Sequence, residues 1–197
     1  MNVSRRRYMG AKSGGLPSGY TQVGSITSNG TVWIDTGKKI TLSTVLEFEG
    51  NIVDVSYTGY LYGRYTNNDG TFYMYSTAYI QVAFGSGYKN TTHDTDTLVH
   101  KYKLYIDTQS RCEIDDVLVW SNSIKTPLSA NNVYVCGTAT TIAKAFKTNY
   151  VKIYENGVLV RDYIPCVRDS DNVASMFDLV SNTFVEPSGT GYFSPNL

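Results

Sequence analysis

Charge is scarce in this chain, and neither sign dominates. Its 197 residues hold 17 Lys and Arg against 17 Asp and Glu, a formal net charge of zero. No general pull towards nucleic acid or an anionic membrane follows from such a balance. Long apolar runs are missing as well: nothing approaches the ~20 consecutive apolar residues of a spanning helix. The one basic cluster, Arg5, Arg6 and Arg7, is followed by Tyr8-Met9-Gly10-Ala11-Lys12-Ser13-Gly14-Gly15 and not by an apolar stretch. A secretory signal is therefore not expected. Histidine is nearly absent. Only His93 and His100 occur, and neither accompanies a nucleophile elbow. His93 reads as part of a polar loop and His100 as a solvent-facing strand residue. Gly85-Ser86-Gly87 lacks the helix and the Lys-Ser/Thr pair of a phosphate-cradling loop. Cysteine is limited to Cys112, Cys136 and Cys166, an odd number without metal-ligand spacing. Three reduced thiols in a chain made in a cytoplasm are expected; one disulfide plus a free thiol is the alternative.

Capped helix patterns are missing too, and residues 140–147 are the only stretch with room for a helical turn. What fills the chain is Tyr and Gly, 17 of each, among many Thr, Ser and Asn. That mixture suits pleated, half-buried surfaces. Residues 31–35 alternate around Trp33, bounded by Asn29-Gly30 and Gly37. Over residues 40–49, Leu42, Thr44, Leu46 and Phe48 share one face while Thr41, Ser43, Val45, Glu47 and Glu49 share the other, the period of a half-buried strand. Residues 53–65 and 71–84 read as aromatic strands joined through Asn67-Asn68-Asp69-Gly70, residue types that tolerate positive φ. Residues 99–107 and 112–120 flank Thr108-Gln109-Ser110, and 132–136 is short and apolar. Residues 150–154 and 158–163 flank Glu155-Asn156-Gly157, a type I′ hairpin signal. One more hairpin turns at Ser181-Asn182. Short strands at regular spacing read as a sandwich or barrel, and the length suits one such domain. The expected organisation is a basic, flexible arm over residues 1–15 and a single all-β domain over 16–197.

Two groups of residues carry a resemblance. At the front stand Leu16-Pro17-Ser18-Gly19-Tyr20-Thr21-Gln22 and Ser28-Asn29-Gly30-Thr31-Val32-Trp33-Ile34-Asp35-Thr36-Gly37. At the back stand Lys152-Ile153-Tyr154-Glu155-Asn156-Gly157-Val158-Leu159-Val160-Arg161-Asp162-Tyr163-Ile164-Pro165-Cys166 and Met176-Phe177-Asp178-Leu179-Val180. Together they resemble the concanavalin-like, laminin-G-like jelly-roll domains of gut bacteriophage and prophage proteins. Residues 50–130 are not diagnostic. The resemblance implies an antiparallel two-sheet β-sandwich of jelly-roll type, with a short N-terminal extended arm, whose first and last segments pair. It also implies a non-enzymatic virion protein: a head fibre, a capsid decoration or a tail-associated module. Such a protein is made in the host bacterial cytoplasm and localised to the virion. The family carries over no binding residues. Asp35-Thr36-Gly37 reads as a turn, Asn156-Gly157 as a hairpin and Pro165 as a strand end.

Candidate sites are few. Related glucanases place Glu-x-Asp-x-Glu on one strand, because a retaining glycosidase needs two carboxyl groups about 5–5.5 Å apart. Strand alternation over Glu113-Ile114-Asp115-Asp116-Val117 would put Glu113 and Asp115 on one face, but Val117 stands where the second Glu belongs and Asp115-Asp116 reads as an exposed, turn-like segment, so no enzyme is expected. No cofactor is expected either. Calcium, which takes hard oxygen ligands from loops, is the weakly indicated exception, with Asp94 and Asp96 as candidates beside Asn67 with Asp69 and Asp169 with Asp171. Tyr60 and Tyr62 share parity, as do Tyr73 and Tyr75, and an outward tyrosine ladder offers a platform for sugar rings or proteins. These four are the candidate ligand-binding residues, for cell-surface or mucus glycans in the alternative reading as a carbohydrate-binding adhesin or receptor-binding module. Trp33 and Trp120 read as core. Arg5, Arg6, Arg7 and Tyr8 are the candidate docking arm. Arginine forks suit carboxylates and phosphates alike, and other virion proteins are the expected partners, not nucleic acid or a membrane. Self-association into a homo-oligomer is also expected.

Overall fold

The computed structural model of the protein describes residues 15–56, 59–64, 71–76, 78–85, 88–106, 110–122, 132–137 and 145–196. All the regular structure among them is strand. In chain order the strands are β1 (Tyr20–Gln22), β2 (Ser25–Ser28), β3 (Val32–Lys39), β4 (Thr44–Ile52), β5 (Gly59–Arg64), β6 (Thr71–Ser76), β7 (Tyr79–Gly85), β8 (Tyr88–Asp94) and β9 (His100–Ile106). There follow β10 (Ser110–Ile114), β11 (Val117–Asn122), β12 (Asn132–Val135), β13 (Phe146–Glu155), β14 (Val158–Arg168), β15 (Val173–Asp178), β16 (Thr183–Val185), β17 (Ser188–Gly189) and β18 (Phe193–Asn196).

Every strand pairing is antiparallel, and the protein is an all-β sandwich. The larger sheet runs β11-β10-β9-β4-β13-β14-β15-β16, with β1 on β14, β2 on β13 and β18 on β2. The opposing strands form two smaller sheets, β12-β3-β17 and β5-β6-β7-β8. β12 and β5 are neighbours, although no paired register joins them among the described residues. One hydrophobic cluster lies between these layers. Leu46 and Phe48 of β4, Tyr102 and Leu104 of β9, and Val151 and Ile153 of β13 meet Val32 and Ile34 of β3, Leu61 of β5 and Val82 of β7. Burying a large apolar side chain is worth about 1.5–3 kcal/mol, and the alternation of β4, β9 and β13 delivers such residues to one face. Phe48 stacks on Tyr102 with centroids 5.0 Å apart, and Phe146 meets both rings edge-on.

The two ends of the described chain are stitched into the same sheet. β18 pairs with β2, Phe193 opposite Ser28 and Asn196 opposite Ser25. β1 pairs with β14, Tyr20 opposite Arg168. The front and back stretches thus become neighbours, and Tyr20 packs its ring on Phe177 and Phe184.

Several local expectations are corrected. Leu42 lies outside β4 and is half exposed, because the chain turns at residues 42–43 before the alternation begins. Residues 71–84 are two strands, β6 and β7, not one. Asp35-Thr36-Gly37 is a bulge inside β3: three residues, 36–38, face Val133 alone in the ladder with β12. Gly37 takes φ +63 there, its amide donates to Asp35 Oδ1, and Thr36 Oγ1 donates to the Val133 carbonyl. Pro165 sits within β14, opposite Met176 of β15, and only its carbonyl is used on the other side, by the Val23 amide. Phe146 and Lys147, at the end of the one helix candidate, begin β13; residues 140–144 lie outside the described residues. Trp33 and Trp120 are half-buried: Trp120 packs against the core from its edge, whereas Trp33 lies on the other face of β3 beside Tyr134.

The three cysteines are free and buried. Burial pushes the Cys166 thiol up to about 12 and the Cys112 thiol higher still. Only a thiolate attacks a disulfide. A thiol-exchange reagent at pH 8 should therefore leave all three intact in the folded protein and titrate all three in denaturant. Prompt reaction of any of them in native buffer would contradict this packing.

Candidate functional site

The described side chains best placed for chemistry gather where the chain passes from one sheet to the other. β8 is the edge of the four-stranded sheet and β9 belongs to the larger sheet. Residues 95–99 reverse the chain between them, which brings His93 near the end of β8 beside His100 at the start of β9. The imidazole rings meet edge-to-face with centroids 4.7 Å apart. Asp96 lies in the reversal itself, and its Oδ1 sits 2.9 Å from His100 Nε2. Across β9 the β10–β11 hairpin turns on Asp115 and Asp116, both in the left-handed region at φ 52 and 64. That turn aims Asp115 Oδ2 at His100 Nδ1, 2.6 Å away, while Asp115 Oδ1 accepts from the Lys101 amide at 2.9 Å. One donor atom from each of His93, Asp96 and His100 lies within 4.8 Å of the others.

Two expectations change at this point. His100 is buried, only 9% exposed. It follows the parity of Tyr102 and Leu104, so β9 points it inwards. His93 belongs to β8 and not to a loop, and its Nδ1 lies 2.7 Å from the Asp94 carbonyl. A carbonyl only accepts, so Nδ1 is the donor, and in the neutral ring the lone pair is on Nε2. Burial works against charge on His100, but the hydrogen bonds and charges of Asp115 and Asp96 outweigh it and hold the imidazole pKa above its ordinary value. Burial likewise pushes the Asp115 carboxyl up, yet the His100 and Lys101 hydrogen bonds outweigh it and leave its pKa low.

The other candidates fare differently. Asp96 joins the cluster; Asp94 contributes its backbone carbonyl, and its carboxylate is not among the grouped donors. Asp169 accepts from Thr21 Oγ1, and Asp171 holds Arg168 through both oxygens, so this pair knits β1 and the β14–β15 turn together. Asn67 and Asp69 lie outside the described residues. Glu113 and Asp115 part company: Glu113 accepts from Tyr105 at 2.8 Å, while Asp115 leaves the strand for the turn. Tyr60 pairs with Tyr75, and Tyr73 with Gly63, in the β5–β6 ladder; Tyr62 stands opposite Met74. The side chains of Tyr60, Tyr62, Tyr73 and Tyr75 lie outside what the structure describes, as do Arg5, Arg6, Arg7 and Tyr8 in full.

The back motif supplies structure. Asn156 and Gly157 turn the β13–β14 hairpin at φ 51 and 75. Glu155 beside it accepts from Thr41 Oγ1, Ser43 Oγ and Thr44 Oγ1. Arg161 and Asp162 on β14 meet Asp178 of β15. Neither a family model nor a curated protein matches the chain.

The histidine cluster was legible as His93-x-x-Asp96-x-x-x-His100, three metal-type donors within eight residues. Reading His93 and His100 as unrelated polar residues hid it. The fourth member, Asp115, is 15 residues on from His100, and only strand pairing brings it in.

Proposed function

We propose that this chain is a non-enzymatic accessory protein of a phage virion, a jelly-roll module displayed on the particle and anchored by its arm at residues 1–15. The supporting observation is that the two stretches carrying the phage resemblance pack together: β1 of the front stretch joins the back stretch on the large sheet, and β3, the rest of the front stretch, faces it from the opposing sheet across the core. β1 lies on β14, and β14 lies on β15 through the Arg161, Asp162 and Asp178 contacts. Residues scattered through half the chain form one packed unit, as a shared fold requires. The lone acid pair considered for catalysis is committed elsewhere, Glu113 to Tyr105 and Asp115 to His100.

Immunogold electron microscopy of particles from the producing culture, with antibody against residues 16–197, tests the reading. Label is expected on heads or tails, and deletion of residues 1–14 should abolish it while leaving the melting curve of the purified protein unchanged. Unlabelled particles with antigen free in the medium would overturn it. A second reading, a glycan-binding module, draws on the β5–β6 register, which sets Tyr60 opposite Tyr75. Glycan-array binding lost in Tyr73→Ala and Tyr75→Ala would favour it over pure decoration.

A further inference from the structure

We propose that His93, Asp96 and His100 form a binding site for a divalent transition metal of the zinc class, with Asp115 as the carboxylate that orients His100. Such a site is independent of any role on a virion, and four placements support it. First, one donor atom from each of the three residues lies within 4.8 Å of the others. Two donors on one zinc ion stand about 3.4 Å apart at tetrahedral angles and bond lengths of about 2.0–2.1 Å, so small side-chain rotations close the site. Secondly, both imidazoles have Nδ1 taken by an oxygen, the Asp94 carbonyl for His93 and the Asp115 carboxylate for His100. His93 is thereby left to present Nε2, and His100 presents Nε2 when zinc takes the place of the proton between it and Asp96. A ligand histidine held through its other nitrogen by a carboxylate or carbonyl is the usual support of a zinc site. Thirdly, Asp96 Oδ1 already lies 2.9 Å from His100 Nε2, so the third ligand faces the nitrogen that would bind. Fourthly, the scaffold is rigid where it matters: His100 is buried in β9, and the Lys101 amide and the Asp115 turn hold the supporting carboxylate.

Two imidazoles and a carboxylate choose the ion. Imidazole suits zinc, copper, nickel and iron, whereas calcium collects six to eight oxygens. Three protein ligands leave a tetrahedral ion one further position, for water or an incoming donor. The ion would also tie β8 of the small sheet to β9 of the large one at the corner where the chain crosses, and so fasten the sandwich together.

The test is a titration of the full, chelator-stripped chain with ZnCl2, followed by calorimetry and by thermal melting, with CaCl2 in parallel. One equivalent of zinc is expected, with a rise in Tm and no response to calcium at the same concentration. Cobalt(II) should give visible bands of a nitrogen-containing site, which a nonspecific surface ion would not. His93→Gln and Asp96→Asn change side chains at the partly exposed side of the cluster, and each should weaken zinc at least tenfold and shrink the zinc-induced rise in Tm, read against that variant's own metal-free melt. Asp115→Asn should weaken it about 10–100-fold. Zinc that does not bind, or that binds equally well to His93→Gln, overturns the proposal. So does a calcium response that survives His93→Gln, which would point to oxygen ligands alone.

Discussion

Replacing Gly50 by alanine should cost the fold about 3 kcal/mol or more and leave much of the protein insoluble or unfolded. A Cβ built on Gly50 would stand 2.0 Å from the Lys147 carbonyl oxygen and 2.6 Å from the Phe146 ring. The first of these is backbone, which cannot swing aside as a side chain does. Gly50 sits opposite Thr148 at the place where the β4–β13 ladder slips a register, and where β2 joins the other edge of β13 through Thr148 and Lys147. One methyl group therefore pries apart the two central strands of the large sheet. Gly157→Ala is the control. That glycine has φ +75 but open space around its Cβ position, so only the left-handed backbone conformation is penalised, by about 1 kcal/mol. Thermal melts of the two variants should differ widely. A Gly50→Ala protein that melts within about 2 °C of the wild type would show that β4 and β13 are not packed this closely.

Asp178→Ala should lower stability by about 3 kcal/mol, or roughly 6–12 °C in Tm for a protein of this size. Asp178 is only 1% exposed. Its Oδ1 accepts from the amides of Asp162 at 3.0 Å and Val180 at 3.1 Å, and its Oδ2 accepts from Ser181 Oγ at 2.6 Å. Arg161 Nε lies 3.4 Å from the same Oδ2. Truncation strands two backbone donors and takes the partner from a largely covered guanidinium. Asp178→Asn keeps an acceptor for the amides and loses the charge, so it should cost about half as much. Equal stability of the alanine and asparagine variants in urea unfolding would show that the charge, and not the hydrogen-bond geometry, is what the site needs.

Local chemistry was readable from the residues alone. The period of two in β4, the Asn-Gly turn at 156–157 and the Ser181-Asn182 turn, with Asn182 at φ 56, each follow from one residue's conformational preference or one strand's alternation. The break between β6 and β7 was not readable. Ser76-Thr77-Ala78 contains no Gly, Pro, Asn or Asp to announce a turn, and the aromatic alternation runs straight through it. The burial of His100 was half readable, since His100, Tyr102 and Leu104 share parity, but a lone polar residue at a strand start gives no sign of which face it joins.

All-β character was thus settled by composition and alternation, because strand preference is a property of each residue and its next neighbours but one. So was the pairing of strands across the hairpins at residues 156–157 and 181–182, where the turn residues announce the reversal. The tertiary structure decided the rest. Gly50 matters because β2, β4 and β13 crowd together there, and Asp178 matters because β14 lies alongside. His93, Asp96, His100 and Asp115 meet because β8 and β9 belong to different sheets and β10 doubles back on β9. Contacts of that kind join residues far apart in the chain, and no local preference encodes which distant strand will lie opposite.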